Sequence, residues 1–327
     1  MKKIYILLLC FSFVCSAKSG AAPKVVASIV PVHSLVAAVL QGVTDAQLLL
    51  PGGASPHDYA LRPSDMRTLH HADIVFWIGP ELETALAKPL AQASNVRTEA
   101  LLQVSGLTLL PLREGGIWEA DPHDHQVAKH DEHDEHDEHD EHDEHDEHDE
   151  HDEHADWDAH IWLNPVNAQR MVAHIATVLS TIDPAHSAQY MANANAYQAR
   201  IMRLSKQLIP RLAPVKDIPY IVFHDAYHYF EQYFDLQPAG SITLHPDRQA
   251  GARRVQEIRA RIENNKIRCV FSEPQFQPAL VQTLIVNSTV RSATLDPLGA
   301  KLTPGPDAYL NLLDQLAQSL NDCLKDA

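Results

Sequence analysis

Eight tandem Asp-Glu-His triplets occupy residues 131–154, preceded by an HDH at 123–125 and by His130. Nothing else in the chain limits its fold so sharply. Residues 121–158 hold twenty acidic residues against one lysine. A segment so charged and so poor in apolar surface cannot offset the entropy of ordering its backbone, and is expected to be disordered. Ordinary globular sequence lies on both sides. The fold must therefore accept a long surface loop, 121–156, inserted within a domain. The charge divides in the same way. The whole chain carries −17 and residues 121–158 carry −19, so the remainder is close to +2. A near-neutral folded part has no basic stripe for nucleic acid.

The N-terminus has the build of a secretory signal peptide. Met1-Lys2-Lys3 is basic, residues 4–15 are uninterruptedly apolar, and small residues follow at Ser16, Ala17, Ser19, Gly20, Ala21 and Ala22. The expected signal is 1–22, too short to span a bilayer comfortably. Cys10 follows Leu9 and Cys15 follows Val14, so neither suits a lipoprotein cleavage site. The mature chain is long enough for two domains. It keeps two cysteines, Cys269 and Cys323, and an even pair in an exported protein reads as a disulfide.

Before the acidic tract, strand-like runs (Val25–Val30, Gln47–Leu50, Ile74–Ile78) alternate with helix-like ones (35–40, 65–72 with Ser64 as cap, 81–93). That alternation predicts a parallel sheet covered on both faces. After the tract, a strand-like stretch ends at DAHIWLNP (158–165) and a helix follows at 166–180. Asp183-Pro184 then opens an unbroken run in which Tyr190, Ala194, Tyr197, Ile201, Leu204 and Leu208 recur at spacings of three and four. So long a helix suits a strut between two lobes. A second α/β run follows, with strands at 220–223, 267–271 and 292–295 and a terminal helix at 307–325. The expected architecture is α/β: two doubly wound lobes with parallel sheets, at 23–182 and 213–327, joined by one rigid helix at 183–212.

Ten histidines lie outside the tract. Three fall in loops just past strand ends, where doubly wound proteins place ligand-binding groups. They are His57 in SPHDY, His160 in DAHIW and His224 in FHDAY, with Asp58, Asp158 and Asp225 nearby. A ligating imidazole needs an acceptor on its other nitrogen to fix its tautomer. His70, His71, His174 and His186 fall on helices without that setting, and His33 begins a helix from which it could support a ligand. His228 lies four residues after His224 and can share its helix face, although the Glu that metalloproteases place beside the first His is absent.

At these motifs the chain resembles the periplasmic zinc-uptake solute-binding proteins, the ZnuA-type receptors of ABC transporters. The matching stretches are ASPHDYALRPSD (54–65), DAHIWLNP (158–165), VFHDAYHYFE (222–231), CVFSEPQFQP (269–278) and TLDPLGA (294–300). A His/Asp-rich insertion before the DxHxWL motif is itself typical of that family. The resemblance implies Zn²⁺ held in a cleft between two lobes by His57, His160 and His224, with Asp296 or water fourth. Three neutral imidazoles suit Zn²⁺, whereas Mn²⁺ prefers carboxylate oxygen. The manganese relatives usually carry Glu where His224 stands. Two departures are visible: Pro56 replaces a glutamate that some relatives carry, and His228 replaces what is often a small residue. The resemblance further implies a periplasmic, non-enzymatic, monomeric protein that delivers zinc to a membrane permease driven by an ATPase, with a periplasmic metallochaperone as a further candidate partner. The sequence leaves three alternatives open: a zinc buffer acting through the His-rich loop, a zinc hydrolase, and a surface adhesin.

Overall fold

The computed structural model describes residues 21–113, 157–243, 251–264, 266–276 and 279–325. Nearly all of the expected signal peptide and the whole of the tract at 121–156 lie outside the described residues. Two four-stranded sheets carry the fold. The first contains β1 (Val25–Ala27), β2 (Ala46–Leu48), β3 (Ile74–Trp77) and β4 (Arg97–Ala100), in the order β2-β1-β3-β4. The second contains β5 (Tyr220–His224), β6 (Pro238–Thr243), β7 (Cys269–Ser272) and β8 (Arg291–Thr294), in the matching order β6-β5-β7-β8. Every pairing is parallel. Parallel strands need crossover connections, and the helices supply them: α1 (Val30–Leu40), α2 (Pro63–His71) and α3 (Thr84–Gln92) in the first lobe, α6 (His228–Phe234), α7 (Ala252–Asn264) and α8 (Ala279–Ile285) in the second.

Between the lobes run α4 (Pro165–Ile182) and α5 (Ser187–Leu212), and α9 (Ala308–Leu324) closes the chain. The 26 residues of α5 make a rod of about 39 Å. Tyr190, Ala194, Tyr197, Ile201 and Leu208 are buried along it, at the helical spacing the sequence predicts, while Leu204 is half-buried. The helix packs on α1, α4 and α9 and so joins both lobes. One apolar core runs through the first lobe, the long helix and the inner face of the second sheet. A separate, smaller core lies on the outer face of that sheet. The strands divide between the two by alternation: Tyr220 and Val222 of β5 join the large core, Ile221 and Phe223 the small one. On β7, Cys269 and Phe271 point inward and Val270 outward. Cys269 bonds to Cys323 on α9, with Cα atoms 6.1 Å apart. This clips the second sheet to the terminal helix.

Local corrections follow from chain chemistry. Among the described residues just ahead of His160 there is no strand, and Ile161–Leu163 form a 3₁₀ turn; the rest of the expected strand-like stretch lies outside the described residues. Trp157 pairs with Pro111 in an isolated antiparallel bridge, and the Asp158 amide donates to Leu110 O at 2.9 Å, so the described ends of the insertion meet. Helix α2 starts at Pro63 rather than after Ser64. Pro63 needs no N–H at the first turn, and the Asp65 carboxylate accepts the Arg62 amide at 2.8 Å. Strands β4 and β6 are additions to the expected set.

Candidate metal centre

Each of the three expected histidines reaches the cleft from a different element. His57 sits on the loop between β2 and α2, His160 at the start of the 3₁₀ turn, and His224 at the carboxyl end of β5. Their ring centroids form a nearly regular triangle, 5.5 Å from His57 to His160, 5.7 Å from His57 to His224 and 5.3 Å from His160 to His224. One ligating nitrogen from each lies within 4.8 Å of the others. His160 and His224 are buried and His57 is half-buried.

Two carboxylates fix which nitrogens face inward. His160 Nδ1 donates to Asp158 Oδ1 at 2.7 Å, and His224 Nδ1 donates to Glu273 Oε1 at 2.7 Å. Ionised carboxylates only accept, so both rings carry their proton on Nδ1 and offer a bare Nε2. These two Nε2 atoms stand 3.4 Å apart. Two lone pairs facing each other so closely repel unless a cation lies between them. Nitrogens bound tetrahedrally to zinc at about 2.0–2.1 Å are separated by roughly 3.3–3.4 Å, so the pair already has a zinc bite. Asp158 and Glu273 are nearly inaccessible, and their buried charge also favours a cation.

Burial by itself would depress the His224 pKa. The charge and hydrogen bond of Glu273, together with Asp225 and Asp158, outweigh it and leave the pKa above its ordinary value. In the absence of metal, a proton competes for the site. Ser55 and Pro56 form one side of the cavity, Gln275 and Phe276 another, and Pro297 and Leu298 a third. About 10 Å³ remains, room for one ion or one water. Phe276 stacks on Phe223 at 4.8 Å and meets His224 edge-on, which keeps that flank apolar.

Asp296 is outside the cluster that brings the three histidines together. Its Oδ1 accepts from Leu298 N at 3.1 Å, Gly299 N at 2.9 Å and Gln275 Nε2 at 3.1 Å, and its Oδ2 accepts from Ala300 N at 2.6 Å. Asp225 also points elsewhere. It pairs with Arg113, whose guanidinium reaches on to the buried Glu231 at 2.8 Å. Tyr229 OH donates to Asp158 O at 2.8 Å and accepts from Leu110 N at 3.0 Å. These bonds fasten both described ends of the insertion to the second lobe beside His224. Other histidines have separate employment: His33 on Ala46 O, His174 on Glu99, His186 on Asp183. His228 lies beside Arg113 and outside the triangle. Sequence reasoning missed Glu273. Its only signal was an acidic residue directly after an apolar strand, in a motif otherwise matched by resemblance.

Residues 25–323 match the family model described as "Zinc-uptake complex component A periplasmic". The chain belongs to this ZnuA family. Among its relatives, a high-affinity zinc uptake system protein ZnuA of Brucella abortus is 46% identical, with 99% of each chain covered. A ZnuA of Yersinia pestis is 39% identical, covering 93% of this chain and 92% of its own. A solved ZnuA structure superposes with a TM-score of 0.74 at 24% identity, over 93% of this chain and all of that one, which supports the fold. The family is one of solute-binding receptors. No described helix is long and apolar enough to cross a membrane.

Proposed function

We propose that this chain is the zinc-capturing subunit of an ABC importer. It takes Zn²⁺ from the periplasm into the interlobe cleft and delivers it to a membrane permease coupled to an ATPase. The observation that carries this reading is the pair of Nε2 atoms held 3.4 Å apart by buried carboxylates, with His57 closing the triangle. His57, His160 and His224 hold the ion through nitrogen. Water takes the fourth position, because Asp296 would have to abandon the backbone amides of Leu298, Gly299 and Ala300 to reach it. An all-imidazole set favours zinc over manganese. The signal-like N-terminal sequence and the periplasmic family agree with this reading. The tract at 121–156 supplies further imidazoles for weaker zinc binding, since a repeat so poor in apolar residues has little with which to offset the entropy of ordering a site.

Competition titration against a chelator tests this. His57→Ala, His160→Ala and His224→Ala should each weaken the tight site by roughly a hundredfold to a thousandfold, an even share of the 10–16 kcal/mol that four ligands give a zinc site. If two of the three keep wild-type affinity, the assignment is wrong. Deleting 121–156 should remove only weak zinc events; loss of the tight event would make the chain a buffer rather than a receptor.

A further inference from the structure

The loop 296–300 joins the lobes at the rim of the zinc cavity. Asp296 staples it from within by accepting the Leu298, Gly299 and Ala300 amides. The first lobe then grips it twice. Trp162, two residues beyond His160, donates its indole N–H to Pro297 O at 2.8 Å. Gly52, on the loop that carries His57, packs directly under the Ala300 carbonyl. A Cβ placed on Gly52 would stand 2.5 Å from Ala300 O, closer than real Cβ contacts come, and the obstacle is backbone. Only glycine allows this approach. The same two loops provide Ser55 and Pro56 on one side of the cavity and Pro297 and Leu298 on the other.

We infer that Asp296, Gly52 and Trp162 form an interlobe latch, in which Asp296 is a positioning residue that acts through the 297–300 backbone rather than on the metal. The latch sets where the His57 loop stands relative to His160 and His224, and it holds the rim over bound zinc. His57 depends on it most. It comes from a long turn-rich loop, and its imidazole is the least buried of the three. The inference rests on the three-histidine reading given above.

The test uses the full mature chain. Zinc release is followed by chelator chase for Gly52→Ala, Asp296→Asn and the double variant, with Co²⁺ absorption as a reporter of the ligand set. The latch predicts release faster by about tenfold in each single variant, in the range found when groups supporting a metal ligand are lost. It predicts no further acceleration in the double variant, because both changes open one contact. The Co²⁺ spectrum of Asp296→Asn should match wild type. Unchanged release in Gly52→Ala overturns the latch. So do multiplying effects in the double variant, which would make the two contacts independent, or an altered Co²⁺ spectrum in Asp296→Asn, which would make Asp296 a ligand. If Gly52→Ala does not fold, Trp162→Phe replaces it, with the same two outcomes. His160→Ala is run alongside: loss of its tight zinc upholds the three-histidine site, so a silent Gly52→Ala would then count against the latch alone.

Discussion

In the first lobe, Glu83 lies buried beyond the carboxyl end of β3. It accepts from the Ser28 hydroxyl, just past β1, and from the Ile78 and Gly79 amides at 3.0 and 3.1 Å. In the second lobe, Glu273 lies buried directly after β7 and accepts from Nδ1 of His224, the last residue of β5. The strand orders are the same, β2-β1-β3-β4 and β6-β5-β7-β8, so the two glutamates occupy corresponding places. What differs is the residue at the end of the central strand. A serine spends its hydroxyl on the carboxylate and has nothing left to offer. A histidine spends one nitrogen and still presents the other to the cleft. The same buried carboxylate is therefore a brace in one lobe and, on the three-histidine reading proposed above, half of a metal-binding arrangement in the other.

The largest test of this contrast concerns the covalent clip, which only the second lobe has among the described residues. Cys269 opens the strand that ends just before Glu273, and its bond to Cys323 closes a separation of 54 residues. In the chain-entropy model, a loop of that size stabilises the fold by about 4 kcal/mol. Thiol counting on denatured, non-reduced protein should find no free thiol. Urea unfolding of the metal-free protein should then lose most of that stability on reduction. Two free thiols, or an unchanged unfolding midpoint, would remove the clip from the comparison.

The sequence showed one lobe's half of the site more fully than the other's. His160 and Asp158 are two residues apart, so the ligand and its acceptor are read together. Glu273 is 49 residues from His224, and only the parallel pairing of β5 with β7 brings them into contact. Strand order is a property of tertiary packing, which local periodicity does not encode. The overlooked strands have a related cause. Both β4 (RTEA) and β6 (PAGSIT) are sheet edges with little apolar character, and the proline of β6 sits at its first position, where a strand tolerates one. Asp296 was legible as a candidate ligand, but its backbone partners were not. An Asp-Pro turn followed by glycine suits backbone capping as well as metal binding, and only the folded loop brings the amides onto it.

A smaller effect isolates the brace. Burial pushes the Glu83 pKa up to about 7, against the opposing hydrogen bonds of Ser28, Gly79 and Ile78. An unfolded glutamate titrates near 4.5, so between about pH 4.5 and 7 the folded state binds the extra proton. The resulting stabilisation is full below the unfolded pKa and is lost as pH rises through the folded one, a change of about 3 kcal/mol at most. Urea unfolding of the metal-free protein at pH 5 and pH 8 should show this decline, and Glu83→Gln should flatten it. Zinc affinity should stay at the wild-type value, because Glu83 touches none of the three histidines. A Glu83→Gln variant that loses zinc would mean that both lobes' glutamates serve the metal.

The finest distinction is between the two carboxylates that hold His160 and His224, the proposed ligands. Removing such a partner typically weakens metal binding by about 10- to 100-fold. Glu273→Gln should fall near the upper end and Asp158→Asn near the lower. Asp158 is tethered two residues from its histidine and also accepts the His160 amide at 2.9 Å. An asparagine there keeps an oxygen in the same turn, and Trp162 still packs against the ring at 5.3 Å. His224 has no such local support, since its acceptor comes from another strand. The charge of Glu273 has a second consequence, because it helps raise the His224 pKa against burial. In the wild type a proton therefore competes with zinc as the pH falls. In Glu273→Gln burial acts with less opposition, the His224 pKa drops, and that competition weakens. The affinity gap between wild type and Glu273→Gln should accordingly narrow from pH 8 to pH 5.5. Chelator competition at the two pH values measures it. A gap that widens in acid, or an Asp158→Asn variant that loses more zinc affinity than Glu273→Gln, would show that the long-range carboxylate is not what sets His224 apart.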